Sequence, residues 1–219
     1  MSRPDPDPAP ADRRPPAAAA RARLVLASAS PRRRRILAEA GLDFEVRPSG
    51  VDETTHPGES PTALAERLAR EKALDVAGSL SSTPPQPVLG ADTIVVVDGS
   101  VLGKPRDEDH AVELLSRLVG RTHEVMTGIA LAWSDGRAVV SHVVSTRVGM
   151  RAASRAELAE YVALGESLDK AGGYALQGEG SRFVVDVAGS RTNVIGLPLE
   201  QTRAMLVEAG AIDDAEATP

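Results

Sequence analysis

Residues 88–97 read Val-Leu-Gly-Ala-Asp-Thr-Ile-Val-Val-Val, an apolar run with one carboxylate inside it. This segment constrains the fold more than any other. It is rich in β-branched residues and has the length of a strand, and Asp98-Gly99 turns it into a hairpin with Val101-Leu102. Two further long strands are predicted at 122–133 and 137–150, joined at Ser134-Asp135-Gly136. A chain with three such strands must build its core on a sheet.

The rest of the chain supplies helices for that sheet. Arg23–Ser28 reads as a short buried strand. Ser30 caps a helix with Pro31 at its first position, and Gly41 stops it. Asp43–Arg47 is a second strand. Ser60-Pro61 opens a helix to about Ala77, with Leu64, Leu68 and Leu74 near helical spacing. Helices are also predicted at Asp107–Val119, Ser154–Leu164 and Pro198–Ala209. A Gly-rich loop covers 165–181, and short strands are expected near 182–187 and 192–196. Early alternation followed by long hairpins predicts a mixed α/β fold. One folded unit is expected at 22–212. A Pro/Ala-rich disordered tail is expected at 1–21 and an acidic one at 213–219.

Composition excludes several functions. With no cysteine there is no disulfide framework, thiolate zinc site or thiol nucleophile. No apolar run approaches the ~18 residues of a membrane span, and the N-terminus has no signal-like apolar segment. Cytoplasmic location is the expectation. A net charge of −6 argues against general binding of nucleic acid or anionic membrane. Lys72, Lys104 and Lys170 are the only lysines, against 22 arginines. A lysine kept in such a background suggests a need for a compact point charge.

The candidate chemistry lies in five places. Ser30-Pro31-Arg32-Arg33-Arg34-Arg35 puts arginines in the first turn of a helix, where they oppose the helix dipole. A bound phosphate would compensate them; a solvated basic turn is the plain alternative. Asp92 lies between apolar runs, where an unpaired carboxylate is costly, so it is at an open strand end, metal-bound or paired. Glu53, in Val51-Asp52-Glu53, matters if it converges with Asp92, because two carboxylates facing phosphates would hold Mg²⁺ or Mn²⁺. Lys104, in Gly103-Lys104-Pro105, could reach a phosphate but is not in a Walker A loop. Asp169–Gly178 is glycine-rich enough to approach a ligand closely. Histidines do not cluster, and His123-Glu124 lacks the second histidine of a zinc-protease motif.

Six segments in order carry a resemblance. They are Leu26–Arg33, Val51–Glu53, Gly90–Thr93, Gly103–Pro105, Gly120–Gly128 and Asp169–Gly178. Together they resemble the Maf-like nucleotide pyrophosphatases over residues 23–209. The resemblance implies cleavage of a nucleoside triphosphate at the α–β phosphoanhydride, a divalent cation (Mg²⁺ or Mn²⁺), and a homodimer. It implies a fold like that of inosine-triphosphate pyrophosphatases, with two lobes and a central cleft. Asp92 becomes the proton acceptor and, with Glu53, a metal ligand. Ser30, Arg33 and Lys104 become phosphate or metal residues. Arg32, Thr93 and Gln177 mark a branch preferring dTTP or UTP. Family members have been linked to septum formation, so a non-catalytic regulator of septation is the alternative.

Overall fold

The computed structural model describes residues 23–137 and 139–213. The tails expected at 1–21 and 213–219 lie outside these residues, Asp213 apart. Seven strands form one mixed sheet: β1 (Leu24–Leu26), β2 (Phe44–Val46), β3 (Pro87–Val97), β4 (Ser100–Leu102), β5 (Thr122–Trp133), β6 (Val140–Met150) and β7 (Val184–Ala188). Their order is β2-β1-β3-β5-β6-β7, with β4 on β3. β1 runs parallel to β2 and β3, and the remaining pairs are antiparallel. Six helices accompany the sheet: α1 (Pro31–Glu39), α2 (Pro61–Gly78), α3 (Glu108–Ser116), α4 (Arg155–Val162), α5 (Arg191–Ile195) and α6 (Leu199–Glu208). The mixed α/β expectation holds.

Two large apolar clusters sit toward opposite ends of the long strands. One joins α3 and α4 to the end of β3 and the start of β5 around Leu115, Leu118, Tyr161 and Phe183. The other joins α1 and α6 to β1 and the far half of β5 around Leu26, Leu37, Leu131 and Leu206. The edge of β3 opposite β5 shows why a cleft opens between them. There β1 pairs with Val88 and Leu89, and β4 pairs with Val95 through Val97. The intervening stretch, which carries Asp92 and Thr93, has no strand beside it on that edge.

Helix α2 crosses the sheet at unusually short range. A Cβ on Gly90 would lie 2.2 Å from the Ala69 carbonyl oxygen, and one on Gly128 would lie 2.1 Å from that of Ala65. The two glycines lie on neighbouring strands, where Gly128 is the register partner of Asp92. The helix therefore rests Ala65, Ala69 and Ala73 on bare strand backbone.

This packing corrects one expectation. Leu64 and Leu68 are buried as expected, but Leu74 is 46% exposed and Lys72 is 7% exposed. Half of the buried residues of α2 are alanines, and the leucine spacing pointed partly to the wrong side. A second correction falls at 192–196, expected as a strand. Residues Arg191–Ile195 form helix α5, capped by the Ser190 hydroxyl on the Asn193 amide. The β-branched Thr192, Val194 and Ile195 favour a strand locally, but the buried Asn193 side chain pins a helical turn onto β5 and β6 instead.

Candidate active site

The cleft has a volume of about 440 Å³, and Ser30, Arg32, Arg33, Glu53, Asp92, Thr93, Lys104 and Gln177 all line it. Every residue that the family resemblance assigns to the site thus reaches one cavity. Lys72, Lys170 and Tyr174 line it as well.

Strand alternation sends Asp92 and Thr93 to opposite faces of the sheet. Asp92 faces α2, where Lys72 Nζ donates to its Oδ1 at 2.6 Å. The same ammonium donates to Glu53 Oε1, also at 2.6 Å. Glu53 Oε2 accepts from Lys104 Nζ at 3.3 Å. The two carboxylates do converge, and what joins them is a buried lysine. Burial pushes the Glu53 carboxyl up, but the hydrogen bonds and charges of Lys72 and Lys104 outweigh it and hold the group below its usual range. Of the alternatives open for Asp92, the structure shows the pairing: it lies in the middle of β3 rather than at a strand end, with Lys72 as its partner.

Lys72 is the residue that sequence reasoning missed as part of the site. Its signal was rarity, since a chain with three lysines spends one in the middle of a buried helix face. The short α2–sheet distance set by Gly90 and Gly128 is what lets a lysine on the helix reach a carboxylate on the strand.

Thr93 faces α1 and α5. Arg33 reaches the same place from the first turn of α1 and is only 8% exposed. Its Nε donates to the Gly196 carbonyl at 2.8 Å, Nη1 to Ser28 Oγ at 3.0 Å and Nη2 to Thr93 Oγ1 at 3.1 Å. All three acceptors are neutral. Burial lowers the Arg33 pKa, and the nearby Asp92 charge opposes that shift. A guanidinium has five N–H donors, so two remain beyond these contacts.

The run of arginines divides by position. Arg32 pairs with Asp169 at 3.3 Å, which ties α1 to the loop that carries Gln177. Arg34 and Arg35 are exposed, and Arg35 pairs with Glu39 one turn on. Ser30 lines the cleft, but its hydroxyl is engaged as the N-cap, accepting from the Arg33 amide at 3.4 Å. The far wall is the Gly-rich segment. The Gly172 amide donates to the Gly103 carbonyl, joining this loop to the hairpin end that bears Lys104. Tyr174 is anchored by His123, whose Nε2 is 2.7 Å from the phenol oxygen. His123 is on β5 and only 2% exposed.

The cleft therefore has cations on three sides and a carboxylate pair at its base. A family model for the Maf-like proteins matches residues 23–209. The chain belongs to the Maf-like family. It is 50% identical over 183 residues to a dTTP/UTP pyrophosphatase of Anaeromyxobacter sp. (strain Fw109-5), covering 82% of this chain and 86% of that one. It is 52% identical to the dTTP/UTP pyrophosphatase of Myxococcus xanthus, covering 82% and 89%. The dTTP/UTP pyrophosphatase of Escherichia coli O157:H7 is 47% identical, with 83% and 90% covered. The family match spans every residue of the cleft named above. Among the described residues no helix is long and apolar enough to cross a membrane.

Proposed function

We propose that this Maf-like protein hydrolyses nucleoside triphosphates to the monophosphate and pyrophosphate, with dTTP or UTP preferred. The observation that carries the reading is Asp92: a buried carboxylate fixed by Lys72 at the base of a cleft lined with Arg32, Arg33 and Lys104. Relatives near 50% identity that bear the name dTTP/UTP pyrophosphatase support the same reaction and the same bases.

The residues divide the work by position. A triphosphate carries about four negative charges, and Arg32, Lys104 and the two uncommitted N–H groups of Arg33 neutralise part of them. Lys72 holds Oδ1 of Asp92, which leaves Oδ2 to accept a proton from the attacking water. The water oxygen bonds to the α-phosphorus, the α–β bridge bond breaks, and its electrons leave on pyrophosphate. The cations along the cleft stabilise that leaving charge.

The donor set also fits a divalent cation. The carboxylates of Asp92 and Glu53 supply hard oxygens, suited to Mg²⁺ or Mn²⁺ beside phosphate oxygens and water. Among the described residues no group of three or more acids or histidines could hold a metal alone. The ion would therefore enter with its triphosphate, and once bound it supplies Lewis-acid neutralisation of the phosphates. Gln177, on the glycine-rich wall, has the donor and acceptor that a uracil-type edge requires. A homodimer is also part of this reading, and light scattering on the purified chain tests it.

The decisive assay incubates the purified protein with a panel of nucleoside triphosphates, with and without Mg²⁺ or Mn²⁺, and identifies the products. Monophosphate plus pyrophosphate, fastest with dTTP or UTP and dependent on metal, is the expected result. Orthophosphate plus diphosphate would mean a different bond is cut. No turnover with any nucleotide would favour a binding regulator instead.

A further inference from the structure

We propose that Thr127 is a positioning residue for nucleotide binding, acting through a one-way chain of hydrogen bonds that ends on Arg33. Thr127 is on β5, fully buried, and outside the lining of the cleft. It is the register partner of Thr93. The inference rests on the reading of the cleft as a nucleotide site.

The direction of the chain follows from chemistry. The Asn193 carbonyl can only accept, so the Thr127 hydroxyl donates to it, at 3.1 Å. A hydroxyl has one proton. Thr127 Oγ1 then has only lone pairs to offer Thr93, whose hydroxyl lies 2.9 Å away; of the two acceptors in reach of the Thr93 proton this is the nearer, the Gly196 carbonyl being at 3.3 Å. Thr93 Oγ1 is then left with lone pairs facing the cleft side, and Arg33 Nη2 donates to one of them at 3.1 Å. Without the Thr127 hydroxyl, the Thr93 proton would have only the longer of its two contacts, the Gly196 carbonyl that already receives Arg33 Nε. Two donors would then compete for one acceptor region beside the guanidinium.

The chain matters because of what Arg33 lacks. Its three hydrogen-bond acceptors are a carbonyl and two hydroxyls, so no carboxylate sets the plane of the fork. The plane is set by oriented neutral dipoles, and Thr127 orients the one on Nη2. A guanidinium that is held flat keeps its remaining N–H donors in a fixed direction, as bidentate recognition of phosphate needs. Asn193 supports the far end. Its Nδ2 donates to the Val125 carbonyl and to Thr146 Oγ1, which holds the accepting carbonyl of α5 still.

The test compares Thr127→Val, which keeps the shape and deletes the hydroxyl, with Thr127→Ser, which restores it. Two readouts are taken: KM and kcat for UTP with Mg²⁺, and the Kd of the non-hydrolysable α,β-methylene analogue of UTP. T127V is expected to raise both KM and Kd about 5- to 30-fold and to change kcat less than about threefold, because Asp92 and Lys72 are on the opposite face. T127S should return both within about twofold of the parent, a rescue that lost packing alone would not give. Should T127V unfold at the assay temperature, Thr127→Cys carries the same comparison. Parent-like KM and Kd in T127V or T127C, or equal losses in T127S, would overturn the proposal. If the parent binds the analogue but cleaves nothing, the hydrolytic reading fails while the Kd series still decides the role of Thr127.

Discussion

Lys72 Nζ stands 2.6 Å from Asp92 Oδ1, and both side chains are only 9% exposed. A buried ion pair of this kind is weak evidence for stability, because desolvation offsets much of the attraction. Its value here is placement: it fixes one oxygen of Asp92 at the base of the cleft. Asp92→Asn is expected to keep the fold and lower kcat by roughly 10²- to 10⁴-fold, the usual contribution of a positioned base. Steady-state pyrophosphate release and a melting curve check this. Turnover near that of the parent would remove Asp92 from the reaction.

Lys72→Met should behave differently. It leaves Asp92 buried without its partner, a change that typically costs about 3–5 kcal/mol. Both stability and kcat are expected to fall. Glu53 is held below its ordinary pKa of 4.5 partly by Lys72. Its contribution is present above that value and lost as pH falls through the lower folded one. In K72M the folded and unfolded values draw together, so this acid-range fall should shrink, which denaturant titrations across the acid range would reveal.

Gly128→Ala places a methyl where only 2.1 Å separates the ideal Cβ from the Ala65 carbonyl oxygen. Helix α2 must shift or the strand must bend. Overpacking of this kind costs about 1–3 kcal/mol, and a backbone partner puts this case at the upper end. The expected result is a lower Tm together with a loss of turnover, since Lys72 moves with the helix.

His123 gives a separate pH signature. Burial pulls its pKa from 6.5 to about 4. The unfolded chain therefore takes up a proton between those values while the folded one does not. Stability is intact above about pH 6.5 and falls as pH drops toward 4, by roughly 3 kcal/mol at the acid end. His123→Gln should flatten that fall. Parallel curves for the variant and the parent would show that His123 is not the group responsible.

Gln177→Ala should alter choice more than speed. The side chain lines the cleft on the glycine-rich wall. The ratio of kcat/KM for UTP over CTP and GTP is expected to fall, with maximal rate on the best substrate little changed. An unchanged ratio would take Gln177 out of base recognition.

Much of this was legible in the sequence. The capped start of α1 follows from Ser30 and Pro31, and the hairpin after β3 from Asp98-Gly99. Asp92 was conspicuous because a carboxylate inside an apolar strand needs a reason. What was not legible depends on tertiary distance. A lysine on a helix defaults to solvent, and Lys72 is buried only because two glycines on other strands let the helix descend. His123 looked like one more polar residue on a strand until Tyr174, 51 positions later, closed over it. Helix α5 was read as a strand because five residues are too few for helical periodicity to show. Its one local clue was Ser190, three residues before Asn193.

The contact between α2 and bare strand backbone also says where this molecule can vary. Cores held by interlocking side chains can be repacked with other shapes of similar volume. A helix seated on main chain cannot be, because the two surfaces offer nothing to exchange. Drift or engineering at the surrounding leucines and valines should therefore leave the ammonium-to-carboxylate spacing alone. The absence of a side chain at positions 90 and 128 is itself what fixes that spacing.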